Sequence, residues 1–205
     1  MERIECKELL GRVVSAREAA ELFENGMTVG MSGFTAVGYP KAVPMALSER
    51  GGELKFTLIT GASVGDQLDG SLARAGMIER RYPYQTNKSL RDMINAGQVN
   101  YVDMHLSQVP WWIKHNYFGR IDLAVIEAAA IDENGNIIPT TSVGCSDTLV
   151  KCADKVIVEI NTCIPTEIAG MHDIYTPAPI PHTQPIPITE PGNRIGTPYI
   201  PCSPD

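Results

Sequence analysis

The chain has 205 residues and a net charge of −7, with 20% charged and 43% hydrophobic residues. These are ordinary values for one globular domain with a sizeable core, and two small domains are the less favoured interpretation. The acidic balance argues against nucleic acid, which binds basic surfaces, and the apolar stretches are far shorter than a membrane span.

The amino terminus and the cysteines indicate a reducing compartment. Residues 1–6 carry acidic side chains and lack the apolar run of a signal peptide. The five cysteines are dispersed without a C-x-x-C pair, and the four histidines are dispersed as well. We therefore predict a cytoplasmic protein with free thiols and without a metal site.

Apolar runs alternate with segments of helical spacing along most of the chain. Strands are predicted at 27–31, 54–60, 99–103, 123–129 and 155–160, with a further extended segment at 80–84. Helices are predicted at 15–25, from Pro40 onward, and at 67–76, 86–96, 110–117 and 147–153. The nearly all-apolar run 123–129 is typical of a central strand buried on both faces. The alternation predicts an α/β fold, an open three-layer structure with a mostly parallel sheet flanked by helices.

Local signals mark several helix starts. Ser15 followed by Glu18 forms a capping box, which predicts the start of the first helix. Pro40 is a favoured residue in the first turn of the second helix. Either Thr86 or Asn87 can cap the helix that follows the extended segment.

The composition changes near residue 176, where prolines become frequent and helical spacing ends. We therefore divide the chain into an α/β domain at 1–175 and an extended Pro-rich tail at 176–205. In a lone domain such a tail would be a flexible linker.

Two glycine-rich segments directly follow predicted strands. Residues 32–38 come after the first strand and residues 61–65 after the second. In an open α/β sheet, ligands bind in the crevice beyond the carboxyl ends of the strands. Glycine lets the backbone of such a segment approach a ligand closely, although tight turns without a ligand are the alternative interpretation.

By its position, Glu127 is the residue most readily interpreted as catalytic, because it follows the buried run 123–126. Burial would raise the pKa of this carboxyl group and make it a candidate acid, base or nucleophile. The favoured alternative is structural: a carboxylate that accepts hydrogen bonds from nearby loop amides. For His105, and for His172 with Asp173, a structural role is likewise the preferred interpretation.

The amino-acid sequence of the first glycine segment is more specific than its glycine pattern alone. Ser-Gly-Phe-Thr-x-x-Gly-Tyr-Pro-Lys at 32–41 resembles the acetyl-CoA hydrolase/transferase family, and within it the succinyl-CoA:acetate CoA-transferase subgroup. Further segments resemble the same family in the same order: 58–65, 94–97, 103–107, 139–144 and 170–174. The resemblance covers the chain from about residue 10 to its last residues, and it corresponds to the amino-terminal half of the family.

The resemblance implies a CoA-transferase-like fold and half of an enzyme. The whole protein would exchange CoA between an acyl-CoA and a small carboxylate, with succinyl-CoA and acetate favoured, in acetyl-CoA and acetate metabolism. The CoA thioester is a substrate, and no bound cofactor is implied. The covalent glutamate nucleophile of the family lies in the second half, so this chain alone is predicted to be inactive.

The resemblance also suggests binding residues and partners. Backbone N–H groups of the two glycine segments, the Ser63 hydroxyl and Thr86 would face a carboxylate or a thioester oxygen. The predicted substrate-binding residues are Gly33, Phe34, Thr35, Gly38, Gly61, Ala62, Ser63, Gly65 and Thr86. The tail would cross toward a missing carboxyl-terminal catalytic domain. Apolar surface left uncovered there favours self-association, and we expect a homo-oligomer, a dimer.

Three alternatives remain open. A fragment could keep the fold without turnover, and an acyl-CoA hydrolase would use the same covalent intermediate with water. A phosphosugar isomerase shares the broad α/β plan, but the ordered motifs at 32–41, 58–65 and 139–144 make it much less favoured.

Overall fold

A seven-stranded mixed sheet forms the centre of the fold. The computed structural model describes residues 2–178 and 180–204. The strands are β1 (Thr28–Thr35), β2 (Phe56–Ser63), β3 (Ile78–Tyr82), β4 (Asn100–Tyr101), β5 (Ile121–Ile131), β6 (Ile137–Pro139) and β7 (Ala153–Ile160). Their order is β4-β3-β2-β1-β5-β6, and β7 also pairs with β5. Every pairing of these strands is parallel except that of β6, which returns antiparallel to β5.

Short helices connect the strands. They are α1 (Ala16–Ala20), α2 (Ala42–Arg50), α3 (Ser71–Arg74), α4 (Lys88–Asn95), α5 (Val109–Lys114) and α6 (Ser146–Cys152). One π-helical turn, Asp66–Gly70, precedes α3, and 3₁₀ turns lie at Lys7–Arg12, Leu106–Gln108 and Thr166–Ile168. No helix in the described part of the chain is long and apolar enough to cross a membrane.

The helices lie on both faces of the sheet, which confirms the three-layer prediction. Alternate residues of β5 point into two separate apolar clusters. Leu123 and Val125 join the cluster that contains residues of α1 to α4. Ala124 and Ile126 join the cluster that contains residues of α5 and α6. Strand β5 is therefore central and buried on both faces, as its apolar composition predicts.

Several element boundaries differ from the predictions. Helix α1 ends at Ala20, and its last carbonyl and that of Phe23 both accept from the Arg50 guanidinium. Helix α4 is capped by Asn87, whose Oδ1 accepts from a backbone N–H, so the alternative cap at Thr86 is wrong. Strand β4 has only two residues instead of the predicted five.

The Pro-rich tail is extended and returns to the domain near its end. Residues 180–194 are exposed throughout. Thr197 then forms an antiparallel bridge with Ile174, and Ile200 forms one with Ile137. Ile200 is fully buried in the cluster below β5 and β6. The last part of the tail therefore contributes to the domain core, which the sequence alone did not predict.

Candidate functional site

The two glycine segments lie side by side at the carboxyl ends of β1 and β2. Gly33 pairs with Gly61, and Thr35 pairs with Ser63. These residues belong to the strands themselves, so the prediction of two separate loops is wrong in its boundaries. The register between β1 and β2 shifts between Gly30 and Gly33, and pairing continues beyond the shift to Thr35. The juxtaposition places the predicted binding residues of both segments at one edge.

A tight hairpin projects from the end of β1. Phe34 and Val37 exchange both backbone hydrogen bonds at 3.0 Å, and Thr35 adopts a φ of 49° in the turn. Phe34 is 55% exposed. In this structure the Phe34 N–H is used within the hairpin, and its role as a backbone donor to a ligand stays a prediction. The exposed parts of the hairpin are its side chains.

Glycine is required at the base of this hairpin. A Cβ on Gly33 would lie 2.7 Å from the backbone of Gly38 and Tyr39. A Cβ on Gly38 would lie 2.0 Å from Ser142 Oγ, and Gly38 has a φ of +67°. Both buried glycines therefore let two backbone segments touch.

Tyr39 packs against the second glycine segment, residues 61–65. Its ring packs directly on Gly65, where a Cβ would lie 1.9 Å from the Tyr39 Cζ atom. The Tyr39 hydroxyl donates to Gln67 Oε1 at 2.5 Å. Ser63 is fully buried, and its hydroxyl is engaged by the carbonyls of Met31 and Thr60. In this structure the hydroxyl is therefore used within the fold, and its role as an added donor for a ligand stays a prediction.

Thr86 follows β3 in the chain. That strand is paired in parallel with β2, and Thr86 is exposed. Gly61 and Ala62 are buried and pair with Gly33 and Phe34 of β1. The solvent-facing residues among the predicted set are thus Phe34, Thr35 and Thr86. Their role in binding stays a prediction.

A third segment, 140–145, packs against the hairpin. Ser142 Oγ donates to the Val37 carbonyl at 2.9 Å, and the Cys145 N–H donates to Ser32 Oγ at 3.0 Å. Gly144, with a φ of +57°, passes so close to β1 that a Cβ would lie 2.4 Å from the Gly33 carbonyl oxygen. The motif at 139–144 marked this segment as part of the family resemblance. Its residues alone did not predict that the segment packs against β1.

Glu127 is held by three side chains. Its carboxylate accepts from Lys41 Nζ at 2.6 Å, from Thr140 Oγ1 at 2.6 Å and from Asn161 Nδ2 at 3.0 Å. The carboxylate side chain is only 2% exposed. The expected donors were loop amides, and that detail is wrong because side chains from three distant segments converge here. Lys41 also donates to the Tyr39 carbonyl, so the ion pair ties β5 to the segment after the hairpin.

The amino terminus of α2 is occupied by a carboxylate of the chain itself. Glu159, the neighbour of Glu127 in the β5–β7 register, accepts from the backbone N–H groups of Lys41 and Val43 at 2.7 and 2.9 Å. A carboxylate at this position satisfies free N–H groups and complements the helix dipole. It also explains why α2 begins after Lys41 and not at Pro40.

The histidine and aspartate at 172 and 173 are tethers. His172 Nε2 lies 2.6 Å from the Thr140 carbonyl oxygen. The Asp173 carboxylate accepts from the backbone N–H groups of Ile195 and Gly196. His105, in contrast, is exposed just before a 3₁₀ turn. Among the described residues, no group of three or more His, Cys, Asp or Glu is placed to hold a metal ion.

A cavity of about 410 Å³ lies between α2 and α3, and two residues of its lining, Asp66 and Gln67, directly follow the Gly61–Gly65 segment. Its lining includes Ser48, Gln67 and Arg74. The Arg74 guanidinium is already paired with both oxygens of Asp66, at 3.0 and 3.1 Å. The charge that this cavity offers is therefore compensated within the chain.

Cys145 is expected to resist thiol reagents. Burial raises the pKa of this thiol to about 11, while Cys163 is exposed. Since the thiolate is the reactive form, brief N-ethylmaleimide treatment at pH 8 should modify Cys163 and leave Cys145 unmodified until urea is added. Peptide mass spectrometry measures both sites in one sample. Equal labelling of the two cysteines in the folded chain would contradict the burial.

The same thiol also gives the stability a pH dependence. The folded chain retains the Cys145 proton to higher pH than the unfolded chain, whose thiol has a pKa of about 8.5. This contribution to stability is fully present below the unfolded pKa and is lost as the pH rises toward the folded value of about 11. Urea unfolding of Cys145→Ser should show a smaller loss of stability over that range than the parent chain.

Solved structures of CoA-transferases share this architecture. Glutaconate coenzyme A-transferase from Acidaminococcus fermentans aligns with a TM-score of 0.57 and 13% identity, over 77% of this chain and 68% of that chain. An acyl-CoA transferase from Escherichia coli O157:H7 aligns with a TM-score of 0.59 and 9% identity, over 76% and 44%. At these identities the likeness shows the fold alone, and that fold is the CoA-transferase-like α/β fold.

The chain belongs to the acetyl-CoA hydrolase/transferase family, whose N-terminal domain matches residues 1–202. A succinyl-CoA:acetate CoA-transferase of Clostridium kluyveri is 51% identical over 204 residues, which cover 98% of this chain and 38% of that protein. An acetyl-CoA hydrolase of Schizosaccharomyces pombe is 44% identical over 194 residues, covering 89% and 37%. The resemblance drawn from the motifs is confirmed. The chain spans less than two fifths of the length of these two relatives.

Proposed function

We propose that this chain is the substrate-positioning half of an acyl-CoA:carboxylate CoA-transferase that exchanges CoA between succinyl-CoA and acetate. The observation that carries the proposal is the 51% identity to a succinyl-CoA:acetate CoA-transferase across 98% of the chain. The paired ends of β1 and β2 support it, because they bring the predicted binding residues to one edge. The whole protein would act in acetyl-CoA and acetate metabolism.

The proposed division of labour follows from which groups are free to reach a ligand. Thr35, Phe34 and Thr86 face solvent at the edge and would contact the carboxylate or the acyl group. The buried members of the set would form the frame that holds them: Gly33, Gly38, Gly61, Ala62, Ser63 and Gly65. The CoA thioester is the substrate, and no resident cofactor is part of the proposal.

The covalent steps would take place on a glutamate of the carboxyl-terminal half, as the resemblance implies. Its carboxylate attacks the acyl-CoA carbonyl and expels CoA thiolate, leaving a mixed anhydride. The thiolate then attacks the glutamyl carbonyl and expels the first carboxylate, leaving a glutamyl-CoA thioester. Acetate repeats the two steps in reverse and leaves as acetyl-CoA. In this proposal Glu127 does not substitute for this nucleophile, because its side chain is only 2% exposed and is bound by Lys41, Thr140 and Asn161 inside the fold.

Hydrolysis is the second candidate, favoured by the name of the Schizosaccharomyces pombe relative. Water attacking the glutamyl-CoA thioester would release free CoA and regenerate the glutamate. The inactive-fragment alternative predicts neither reaction, even when a second half is supplied.

The proposal extends to organisation. Residues 1–175 would form the α/β domain, and the tail at 176–205, which packs on that domain at Thr197 and Ile200, would lead toward the catalytic half. The exposed stretch 180–194 carries apolar side chains at Ile180, Ile186 and Ile188, which would be covered by that half or by a second copy in a cytoplasmic dimer.

The test is a product assay with a carboxyl-terminal half supplied together with this chain. Succinyl-CoA and isotope-labelled acetate are added, and labelled acetyl-CoA and free CoA are separated by chromatography. Labelled acetyl-CoA as the main product is the expected result. Release of free CoA at a rate independent of acetate would favour the hydrolase instead. If neither product forms, the inactive-fragment alternative is supported.

A further inference from the structure

Arg81 is a fully buried charge at the end of β3, and all of its guanidinium nitrogens are used. Nε and Nη2 bind the two carboxylate oxygens of Asp69, each at 3.0 Å. Both side chains are 0% exposed. Asp69 lies in the π-helical turn that directly follows the Gly61–Gly65 segment. Burial raises the pKa of this carboxyl group, and the neighbouring Arg81 charge opposes that rise.

The remaining donors of Arg81 reach backbone carbonyls of two different segments. Nη1 donates to Tyr82 and Pro83 at 2.6 and 2.7 Å. Nη2 donates to Ser63 at 3.0 Å and to Tyr84 at 3.4 Å. One planar group therefore joins the end of β2 to the stretch that leads into Thr86.

The location of the Arg81 contacts indicates whether they affect overall stability or local geometry. A buried ion pair is weak support for overall stability, since desolvation offsets much of the attraction. Arg81, however, binds carbonyls at the carboxyl ends of β2 and β3 and in the residues just after β3. The planar guanidinium of arginine fixes the distance between the carbonyl oxygens of the two segments. The single ammonium of lysine, on its flexible side chain, does not.

We propose that Arg81, oriented by Asp69, is a positioning residue that sets the separation of the Ser63 end of β2 from the Tyr84–Thr86 stretch, and so the geometry of the carboxylate site. The proposal rests on the proposed function for its catalytic meaning. Its structural content, local control of these two segments, stands independently.

Amide hydrogen exchange on the chain tests the structural content. In Arg81→Lys, amides of 63–65 and 84–87 should exchange about tenfold faster, while amides of β5 stay within about twofold of the parent chain. Arg80→Lys is the matched control, because Arg80 is the neighbouring residue on the same strand and is exposed. Uniform acceleration that includes β5, or no acceleration at the two segments, would overturn the proposal.

A second variant keeps the test decisive if Arg81→Lys fails to fold. Asp69→Asn leaves Arg81 in place with its carbonyl contacts and removes only its charged partner. Exchange should again be faster at the same two segments, by a smaller factor. If Asp69→Asn has no selective effect there, Asp69 does not orient Arg81 and the proposal fails.

Kinetics of the chain combined with a carboxyl-terminal half test the catalytic meaning. Arg81→Lys should raise the KM for acetate about tenfold and leave the KM for succinyl-CoA within about twofold. The reason is that a displaced carboxylate site weakens the binding of the small carboxylate that it holds. Equal changes in both constants would contradict a positioning role. Absence of transfer in the parent protein would reject the proposed function, while the exchange result would still decide the role of Arg81.

Discussion

Glu127→Ala is expected to lower the free energy of unfolding by about 3 kcal/mol, the lower end for a broken buried ion pair. The substitution leaves Lys41 Nζ, Thr140 Oγ1 and Asn161 Nδ2 without the carboxylate that all three bind. The Lys41 side chain is 31% exposed, so water can compensate part of its loss. Urea unfolding followed by far-ultraviolet circular dichroism measures the change.

Two variants serve as controls for this prediction. Glu79→Ala removes an exposed carboxylate from β3 and should change stability by less than about 0.5 kcal/mol. Glu127→Gln retains the side-chain volume and an oxygen acceptor, and should fall between the two. If Glu127→Ala is as stable as the parent chain, the convergence of three donors on this carboxylate has no structural role, and a catalytic role regains support.

Gly33→Ala is expected to cost about 1–3 kcal/mol, the usual range for forcing an extra group into a well-packed site. The new Cβ would meet backbone atoms of Gly38 and Tyr39 at 2.7 Å, and backbone cannot rotate away as a flexible side chain can. The hairpin at 34–37 must therefore shift. We expect faster amide exchange at Phe34 and Val37 together with the loss of stability in urea unfolding.

Gly11→Ala is the matched control for Gly33→Ala. Among the residues that the structure describes, no atom lies within 4 Å of the position that its Cβ would take. Alanine there restricts the unfolded chain without a clash, so no loss of stability is expected. If Gly33→Ala also unfolds like the parent chain, the close approach at the base of the hairpin does not constrain the end of β1.

The sheet was predictable because its main strands follow a simple rule. The runs that became β1, β2, β5 and β7 are apolar and are separated by segments with helical spacing, which is enough to predict a parallel sheet covered on both faces. Strand β3 was harder, since Glu79, Arg80 and Arg81 look like a solvated segment. The burial of Arg81 depends on Asp69, and no local pattern indicates that partnership.

The candidate site was predictable in location and less so in detail. Glycine segments after neighbouring strands must meet if the strands are parallel neighbours, and Gly33 and Gly61 do pair. The state of each polar group depends on long-range packing. The Ser63 hydroxyl points inward, and Glu127 binds Lys41 and Asn161 from 86 and 34 residues away. Such contacts follow from the fold and not from the local sequence.

Covalent capture of CoA tests most directly the claim that this chain positions substrates while its nucleophile lies elsewhere. The chain is incubated with succinyl-CoA, alone and with a carboxyl-terminal half, and intact-protein and peptide mass spectrometry detect any CoA thioester. We expect no adduct on this chain in either sample, and an adduct on a glutamate of the carboxyl-terminal half when both are present. A CoA adduct on Glu127 of this chain alone would contradict the claim.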